Sequence, residues 1–440
     1  KLAIGYNLDE LLKGFPLNLS SLITGSEGSF GITSQIKLKI SPKPKQVGLC
    51  IIHFHDLVDS LRPMELYLDS GAYALEMVDE AIIKAAKTSP SMKSRLNWLQ
   101  GDPQALIIVE FDAENKELLI EKIEEFSKKI QELKIGYATV RAVEEQDMKN
   151  VWALRKSGLG LLLSKRSFSR AIGFLEDIAV PPLKLADFMK EFKEILHSFN
   201  KESGIYGHAG EGCIHLRPFI NLTDPKEVEV MEAMMLQVSQ RLLDYGGTLS
   251  GEHGDGLVRS WLNEKMFGSE IYGIFKTLKN TFDPKGLANP GKVVEGPPLT
   301  QNLKLNPSSN LSFPETFLSF EKEGGVELAI DLCNGNGECR KKDSLMCPSY
   351  QATLDERHLT RGRAQSLRSL LHGRVDKDQF TSHELYEVMD LCLECKGCKT
   401  QCPSQIDMAK LKSEFLFHYQ KKHGASWRSR LFAHVDVANK

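Results

Sequence analysis

"LCLECKGCKTQCP", residues 391–403, sets Cys392, Cys395, Cys398 and Cys402 in the spacing C-x2-C-x2-C-x3-C and follows the last with proline. That run holds [4Fe-4S] clusters: its first three thiolates grip one cluster and its fourth reaches another. Three thiolates around one cluster face need a tight loop, and Gly397 lets the backbone come close to sulfur. Zinc bound by four cysteines also uses C-x2-C pairs, but normally as two separated pairs. Successive x2 steps closed by Cys-Pro favour iron and sulfide.

A fourth thiolate aimed elsewhere predicts a second run, and Cys333, Cys339 and Cys347-Pro348 supply one. On the same pattern "CNGNGEC" has Asn336 where a cysteine would stand, and the gap from Cys339 to Cys347 is long. The pairing gives one complete [4Fe-4S] site, Cys347 with Cys392, Cys395 and Cys398. Cys333, Cys339 and Cys402 form the other, one thiolate short. Its fourth iron falls to Asn336, to water or to an unrecognised donor, or is absent from a three-iron cluster.

Seven of the nine cysteines lie in the last quarter of the chain. In a reducing cytoplasm such crowding argues for cluster or metal ligation over disulfides. Helical stretches at 355–372, 383–393 and 407–423 make this unit, 327–440, mainly α-helical. Residues 296–326, rich in Pro, Ser, Asn and Gly, read as a linker. From 46 to 295 short β-rich runs alternate with longer helical ones, which argues for an α/β or α+β layer with a helix-covered sheet. Before it, "LITGSEGSFGITSQIKLKISPKPK" (22–45) reads as a glycine-rich turn, a closing strand and two stopping prolines.

Two stretches concentrate glycine, histidine and acid: "GHAGEGCIH" (207–215) and "SGEHGDG" (250–256). His208 and His215, seven apart, would face opposite sides of a straight strand. To share a centre the chain must turn between them, at Gly210 and Gly212. Imidazole with carboxylate suits a divalent ion such as Zn or Mn. That makes Glu252 the third ligand and leaves His253 free as a base. A lone histidine is more often packing, but two glycine-spaced motifs in one domain point to a site. Arg155, Arg166 and Arg170 are weaker candidates for clamping a substrate carboxylate with two bonds, against the plain alternative of solvated arginines.

Globular composition (41% hydrophobic) and 56 basic against 58 acidic residues leave no field that suggests nucleic acid or an anionic membrane surface. No run of about 18 apolar residues and no export leader is visible, so the expected address is cytoplasmic. The chain opens at Lys1, without methionine, and is expected to be a fragment or processed product.

With these residues in hand the chain resembles the FAD-linked oxidases of the glycolate oxidase, D-lactate dehydrogenase and D-2-hydroxyglutarate dehydrogenase type that are fused to a two-cluster iron-sulfur domain. "TGSEGSFGI", "GHAGEGCIH", "SGEHGDG", "NPGK", "CNGNGEC", "MCPSY", "ERHLTRGRA" and "CLECKGCKTQCP" carry the resemblance over essentially all 440 residues. It implies an α+β fold: the tail of a vanillyl-alcohol-oxidase-type FAD domain (1–45), an α+β substrate domain (46–295), the linker, and the helical dicluster domain. Most of the FAD domain would lie outside the chain, leaving it weak or inactive by itself.

Position by position, the resemblance makes His208, His215 and Glu252 metal ligands and His253 the base. It makes Gly25, Ser26, Glu27, Gly28, Gly31, Asn289 and Lys292 flavin-side residues. It places a substrate-holding arginine near Arg155, although "RKSGLGLLLSKRSFSR" departs from the family pattern after it. The implied activity oxidises a D-2-hydroxy acid, first D-2-hydroxyglutarate, then D-lactate or glycolate, to the 2-oxo acid. FAD, two [4Fe-4S] clusters and a divalent metal would serve it. The acceptor would be a quinone, a ferredoxin or another redox protein, met in the cytoplasm or peripherally at the membrane. The competing readings are an iron-sulfur electron-transfer or scaffold subunit serving a partner flavoprotein, and a zinc-binding interaction module.

Overall fold

"QVGLCIIHF" becomes strand β1 (Gln46–Phe54), buried from Gly48 onward, because it lies inside a sheet and is covered by a helix. That helix, Lys116–Glu132, is capped by Asn115, whose Oδ1 accepts the Leu118 N–H at 2.9 Å. Its buried Leu119, Ile123, Phe126 and Ile130 form one stripe at helical spacing. Gly48 makes the close approach feasible: a Cβ there would stand 2.7 Å from Ile123 Cδ1.

The computed structural model describes residues 3–13, 17–303, 305, 313–342 and 344–435. The chain packs as two units, one of residues 1–162 with 169–304 and the other of 163–168 with 305–440. In the first, β1 joins β2 (Ala74–Asp79), β3 (Ala105–Ala113), β4 (Ala138–Ala142), β5 (Arg170–Ala171), β6 (Leu175–Ala179), β7 (Ser203–His208) and β8 (Cys213–Ile220). The order is β4-β1-β3-β2-β7-β8-β5, with β6 also on β8. Every pairing is antiparallel. That settles the alternation of strands and helices as α+β, since an α/β sheet is mostly parallel.

Helices run at Glu145–Leu163, Leu185–Ser198 and Pro225–Tyr245, and Pro63 separates Leu57–Leu61 from Met64–Leu68. One expectation fails. Residues 31–44 form no strand, and Ile32, Ile36, Leu38 and Ile40 are exposed. Alternation gives such a run an apolar face, but a strand also needs a neighbour for its N–H and C=O groups, and none of the described residues provides one.

The second unit is helical, with Thr360–Leu371, His383–Asp390 and Met408–His423 as its longest described helices. Its core is Leu359, Ala364, Leu367, Met389, Ile406, Met408 and Phe415, continuous with Cys333, Cys339, Cys347 and Cys398. A buried ion pair sits beside them, Arg368 Nε to Asp331 Oδ1 at 2.5 Å. Of the expected linker, residues 304 and 306–312 lie outside the described residues. Among the described residues no helix is long and apolar enough to cross a membrane.

Candidate active site

β7 and β8 are the arms of one hairpin, and its register pairs Tyr206 with His215 and His208 with Cys213. Directly opposed residues share a face, so His208 and His215 stand diagonally on the same side of the sheet. The sharp connection needs Gly212: its φ is +67°, and a Cβ there would meet Val180 O at 1.9 Å. The turn expected between the two histidines is thus a strand-to-strand reversal.

Three imidazoles converge on one carboxylate oxygen. Glu252 Oε1 lies 3.1 Å from His253 Nε2, 3.4 Å from His215 Nε2 and 3.6 Å from His208 Nε2. The His215 and His253 rings stack with centroids 5.4 Å apart, while His208 stands edge-on to His215 at 5.5 Å. Burial pushes the His215 pKa down to about 3, helped by the nearby positive charges of His208, Arg155 and His253, so the ring is neutral at pH 7. Its buried Nδ1 has no hydrogen-bond partner among the described residues. A neutral imidazole beside a carboxylate is the donor set that a divalent ion takes.

Two acids that sequence reasoning passed over organise this centre. Glu76, in β2, accepts His208 Nδ1 through Oε1 at 2.6 Å and Arg155 Nε through Oε2, also at 2.6 Å. The bond to Glu76 raises the His208 pKa and aims Nε2 at Glu252. Asp177, in β6, is fully buried. It accepts the Glu252 N–H at 3.0 Å, the His253 N–H at 2.8 Å, the Ser250 hydroxyl and, at 3.4 Å, the Cys213 thiol. Asp177, His215, Glu252 and His253 also bring ligand atoms within 4.8 Å of one another. Both Asp177 oxygens are already filled by those donors, however, so Asp177 clamps the loop and leaves ligation to its neighbours. The signal for both acids was a carboxylate inside an apolar strand, "ALEMV" and "FLEDIAV". Asp177→Asn would turn an N–H toward backbone N–H groups, and we expect it to lower affinity for Zn or Mn by about 10–100-fold, read by metal titration.

Arg155 lies with its guanidinium 5.0 Å over the Tyr206 ring, next to His208 through their shared Glu76. Arg170 is on β5, paired with Ile220. Arg166 belongs to the second unit, where Nη1 donates to Lys322 O at 2.9 Å. A cleft of about 580 Å³, lined by Tyr67, Ala74, Glu76, His208, Cys213 and Glu252 among others, opens at the histidine centre.

The flavin-side candidates form one further surface. Glu27 receives the backbone N–H groups of Asp255 and Gly256 on its two oxygens, and Asn289 Nδ2 donates to Glu27 O. Residues 25–31 are thereby tied to the loop that carries Glu252 and His253. Gly28 and Gly31 have positive φ and open surroundings, with nothing within 4 Å of a Cβ at Gly31, so their backbone is bare for the approach of a ligand. This fits a dinucleotide cofactor. The Lys292 carbonyl accepts the Val294 N–H at 2.7 Å in a local turn, a bond that does not join Lys292 to the other candidates.

In the second unit Cys347, Cys392, Cys395 and Cys398 line one small cavity with Thr360 and Arg363. Cys347 Sγ accepts the Thr360 N–H at 3.0 Å. The space left by Gly397 is taken by Leu345 O, 2.9 Å from a would-be Cβ, so this glycine closes the loop onto the 345–347 backbone. Cys333, Cys339 and Cys402 form the other group. Burial is the main cause raising the Cys339 thiol, to about 11, with Cys347, Cys333 and Cys402 adding. Thiols crowded and buried in this way favour a bound cation that displaces their protons.

Residues 43–293, more than half of the chain, match the family "FAD linked oxidases, C-terminal domain", and residues 329–406 match the "4Fe-4S dicluster domain". The D-2-hydroxyglutarate dehydrogenase of Haemophilus influenzae is 30% identical over 470 aligned residues, covering 96% of this chain and 45% of that protein. The Escherichia coli D-2-hydroxyglutarate dehydrogenase is 29% identical, with 98% and 47% covered. A D-lactate dehydrogenase of Anaerostipes hadrus is 26% identical, with 66% and 60% covered. The chain spans about half the length of the first two relatives. It belongs to the FAD-linked oxidase family through that family's C-terminal domain, and carries a 4Fe-4S dicluster domain after it.

Proposed function

We propose that this chain binds and oxidises a D-2-hydroxy acid as part of an FAD- and iron-sulfur-dependent dehydrogenase. D-2-hydroxyglutarate is the first choice of substrate, then D-lactate or glycolate, and the product is the 2-oxo acid. The observation that carries the reading is the meeting of three imidazole nitrogens at Glu252 Oε1. The domain division follows it: the end of an FAD-binding domain to residue 45, a substrate domain at 46–295, a linker at 296–326 and a cluster domain at 327–440.

His208, His215 and Glu252 would hold the divalent ion, zinc or manganese, and Gly25, Ser26, Glu27, Gly28, Gly31, Asn289 and Lys292 would face the flavin. When bound, the ion supplies a Lewis acid for the substrate hydroxyl, the flavin a two-electron acceptor, and the clusters one-electron carriers. The chain's own residues do the rest. Glu76 fixes His208 in the tautomer that leaves Nε2 toward the centre. His215, neutral at pH 7, adds no positive charge that would repel the ion. His253 takes the hydroxyl proton at Nε2, held in place by the bond from its backbone N–H to Asp177. Arg155 has its Nε committed to Glu76, which leaves its terminal nitrogens for a substrate carboxylate, with Arg170 as the second candidate. The cysteine unit would hold the clusters that hand electrons to a quinone, a ferredoxin or another redox protein, in the cytoplasm or peripherally at the membrane.

The test is anaerobic mixing of the FAD-loaded full-length parent protein with D-2-hydroxyglutarate, D-lactate, glycolate and D-malate, followed by flavin absorbance. Bleaching fastest with D-2-hydroxyglutarate is the expected outcome. No bleaching with any hydroxy acid, by protein that holds iron and sulfide, would favour the electron-transfer subunit instead.

A further inference from the structure

The helix Thr360–Leu371 begins at the sulfur of Cys347. The N–H groups in the first turn of a helix have no partner inside it, and a negatively charged sulfur is a fitting acceptor for one. Thr360 N–H donates to Cys347 Sγ at 3.0 Å, and Thr360 Oγ1 lies 3.1 Å from the same sulfur. Both residues are buried, so water does not compete for these bonds. A cysteine bound to a cluster is a thiolate with no proton to give, so in that state the hydroxyl is the donor.

The backbone fixes where this sulfur points. Cys347 has φ +54°, a left-handed conformation that residues other than glycine rarely adopt. Its carbonyl accepts the Tyr350 and Gln351 N–H groups at 2.9 and 3.1 Å. In the first turn of the same helix as Thr360, the buried Arg363 lines the cavity that Cys347, Cys392, Cys395 and Cys398 also line. Its Nε, Nη1 and Nη2 donate to Val388 O, His358 O and Ser349 Oγ, and no carboxylate among the described residues pairs with it. A buried cation with only neutral partners lowers stability unless a negative group is near. The cavity is therefore suited to negative charge, with a hydroxyl, a backbone N–H and a guanidinium supplied by one helical turn.

We infer that Thr360 sets the reduction potential of the cluster held by Cys347, Cys392, Cys395 and Cys398, through the hydrogen bond from its hydroxyl to Cys347 Sγ. Reduction adds one electron, taken from the reduced flavin in turnover, and moves no proton: the Thr360 O–H bond stays whole and faces a more negative sulfur. Hydrogen bonds to the sulfurs are among the factors that set such potentials, and a donor whose bond strengthens on reduction raises the potential. Thr360 acts through Cys347 and touches no substrate. The inference rests on the reading that these four cysteines hold a cluster.

The test uses the full-length parent protein purified without oxygen, with iron and acid-labile sulfide analysis and an EPR-monitored redox titration. Cys395→Ala shows which signal belongs to this cluster. Thr360→Val keeps the backbone N–H and the side-chain shape. It is expected to keep all the iron and to make reduction of that cluster about tenfold less favourable, the scale of one hydrogen bond to a charged group, which is a fall of about 59 mV for one electron. Thr360→Ser restores a hydroxyl and is expected to recover most of the shift, while the midpoint of the other cluster stays where it was. An unmoved or raised midpoint in Thr360→Val with full iron overturns the assignment. So does Thr360→Ser with the midpoint of Thr360→Val, or an equal shift in both clusters. Should Thr360→Val lose the cluster, Thr360→Ala is titrated in its place; loss from both overturns the assignment too, because the residue then builds the site instead of setting its potential. Wild type with no iron or sulfide sinks the cluster reading itself, whereas full iron with a midpoint blind to the hydroxyl sinks only the role of Thr360.

Discussion

His253→Ala in FAD-loaded protein is expected to slow flavin reduction by D-2-hydroxyglutarate by about 10²–10⁴-fold, the range lost with a positioned general base. Bound metal should stay the same. His253 is held by its backbone N–H to Asp177, a bond that alanine keeps, so Glu252 is not displaced. The side chain is about half-exposed and stacks on His215, so its removal opens no cavity in the core. Stopped-flow absorbance gives the rate, and metal analysis of the same sample gives occupancy. A variant that bleaches at the wild-type rate with every hydroxy acid the parent oxidises would show that His253 is no base.

Cys395→Ala should separate the other half of the reaction. Cys395 is exposed at the mouth of its cavity, so the helical core that packs around Cys347 and Cys398 is left intact. The expected loss is at least one iron per chain, because the iron that Cys395 would hold loses its thiolate. Flavin reduction by substrate should be unchanged. Turnover with an external one-electron acceptor should fall to the background of direct flavin reoxidation. Iron analysis with both assays on one preparation checks this, and an unchanged acceptor rate would mean that this group of cysteines lies off the electron path.

Each of the two effects has a local signature in sequence, though the neighbourhoods do not. The cysteine spacing is legible because a cluster demands several thiolates from one short loop, and the demand stays printed at fixed intervals. "GHAGEGCIH" and "SGEHGDG" announce a site because glycine, histidine and acid rarely crowd together for packing alone. Glu76 and Asp177 had no such announcement. One carboxylate in an apolar strand reads as a flaw in the pattern until β2, β6 and the 250–253 loop are adjacent. Glu27 was legible as part of a glycine-rich loop, while its two bonds to the Asp255 and Gly256 N–H groups, more than 200 residues away, were not.

The alternating run at 31–44 shows the same limit from the other side. Side-chain period is written in the chain, but a ladder partner is not, and without one the run stays exposed.

By itself the sequence determined the cysteine spacing of a dicluster domain, the glycine, histidine and acid motifs of the candidate site, the helical character of the cysteine unit, and the mixed strand-and-helix nature of the rest. These depend on residue type and spacing along a few turns of chain. Only the tertiary structure decided that the sheet is antiparallel, that His208 and His215 share a face through the β7–β8 register, and that Asp177 and Glu76 aim the groups around Glu252. It also decided that Asn336 is used by its own turn, where its Oδ1 accepts the Glu338 N–H. Hydrogen-bond satisfaction is a property of neighbours in space, and sequence distance carries no record of them.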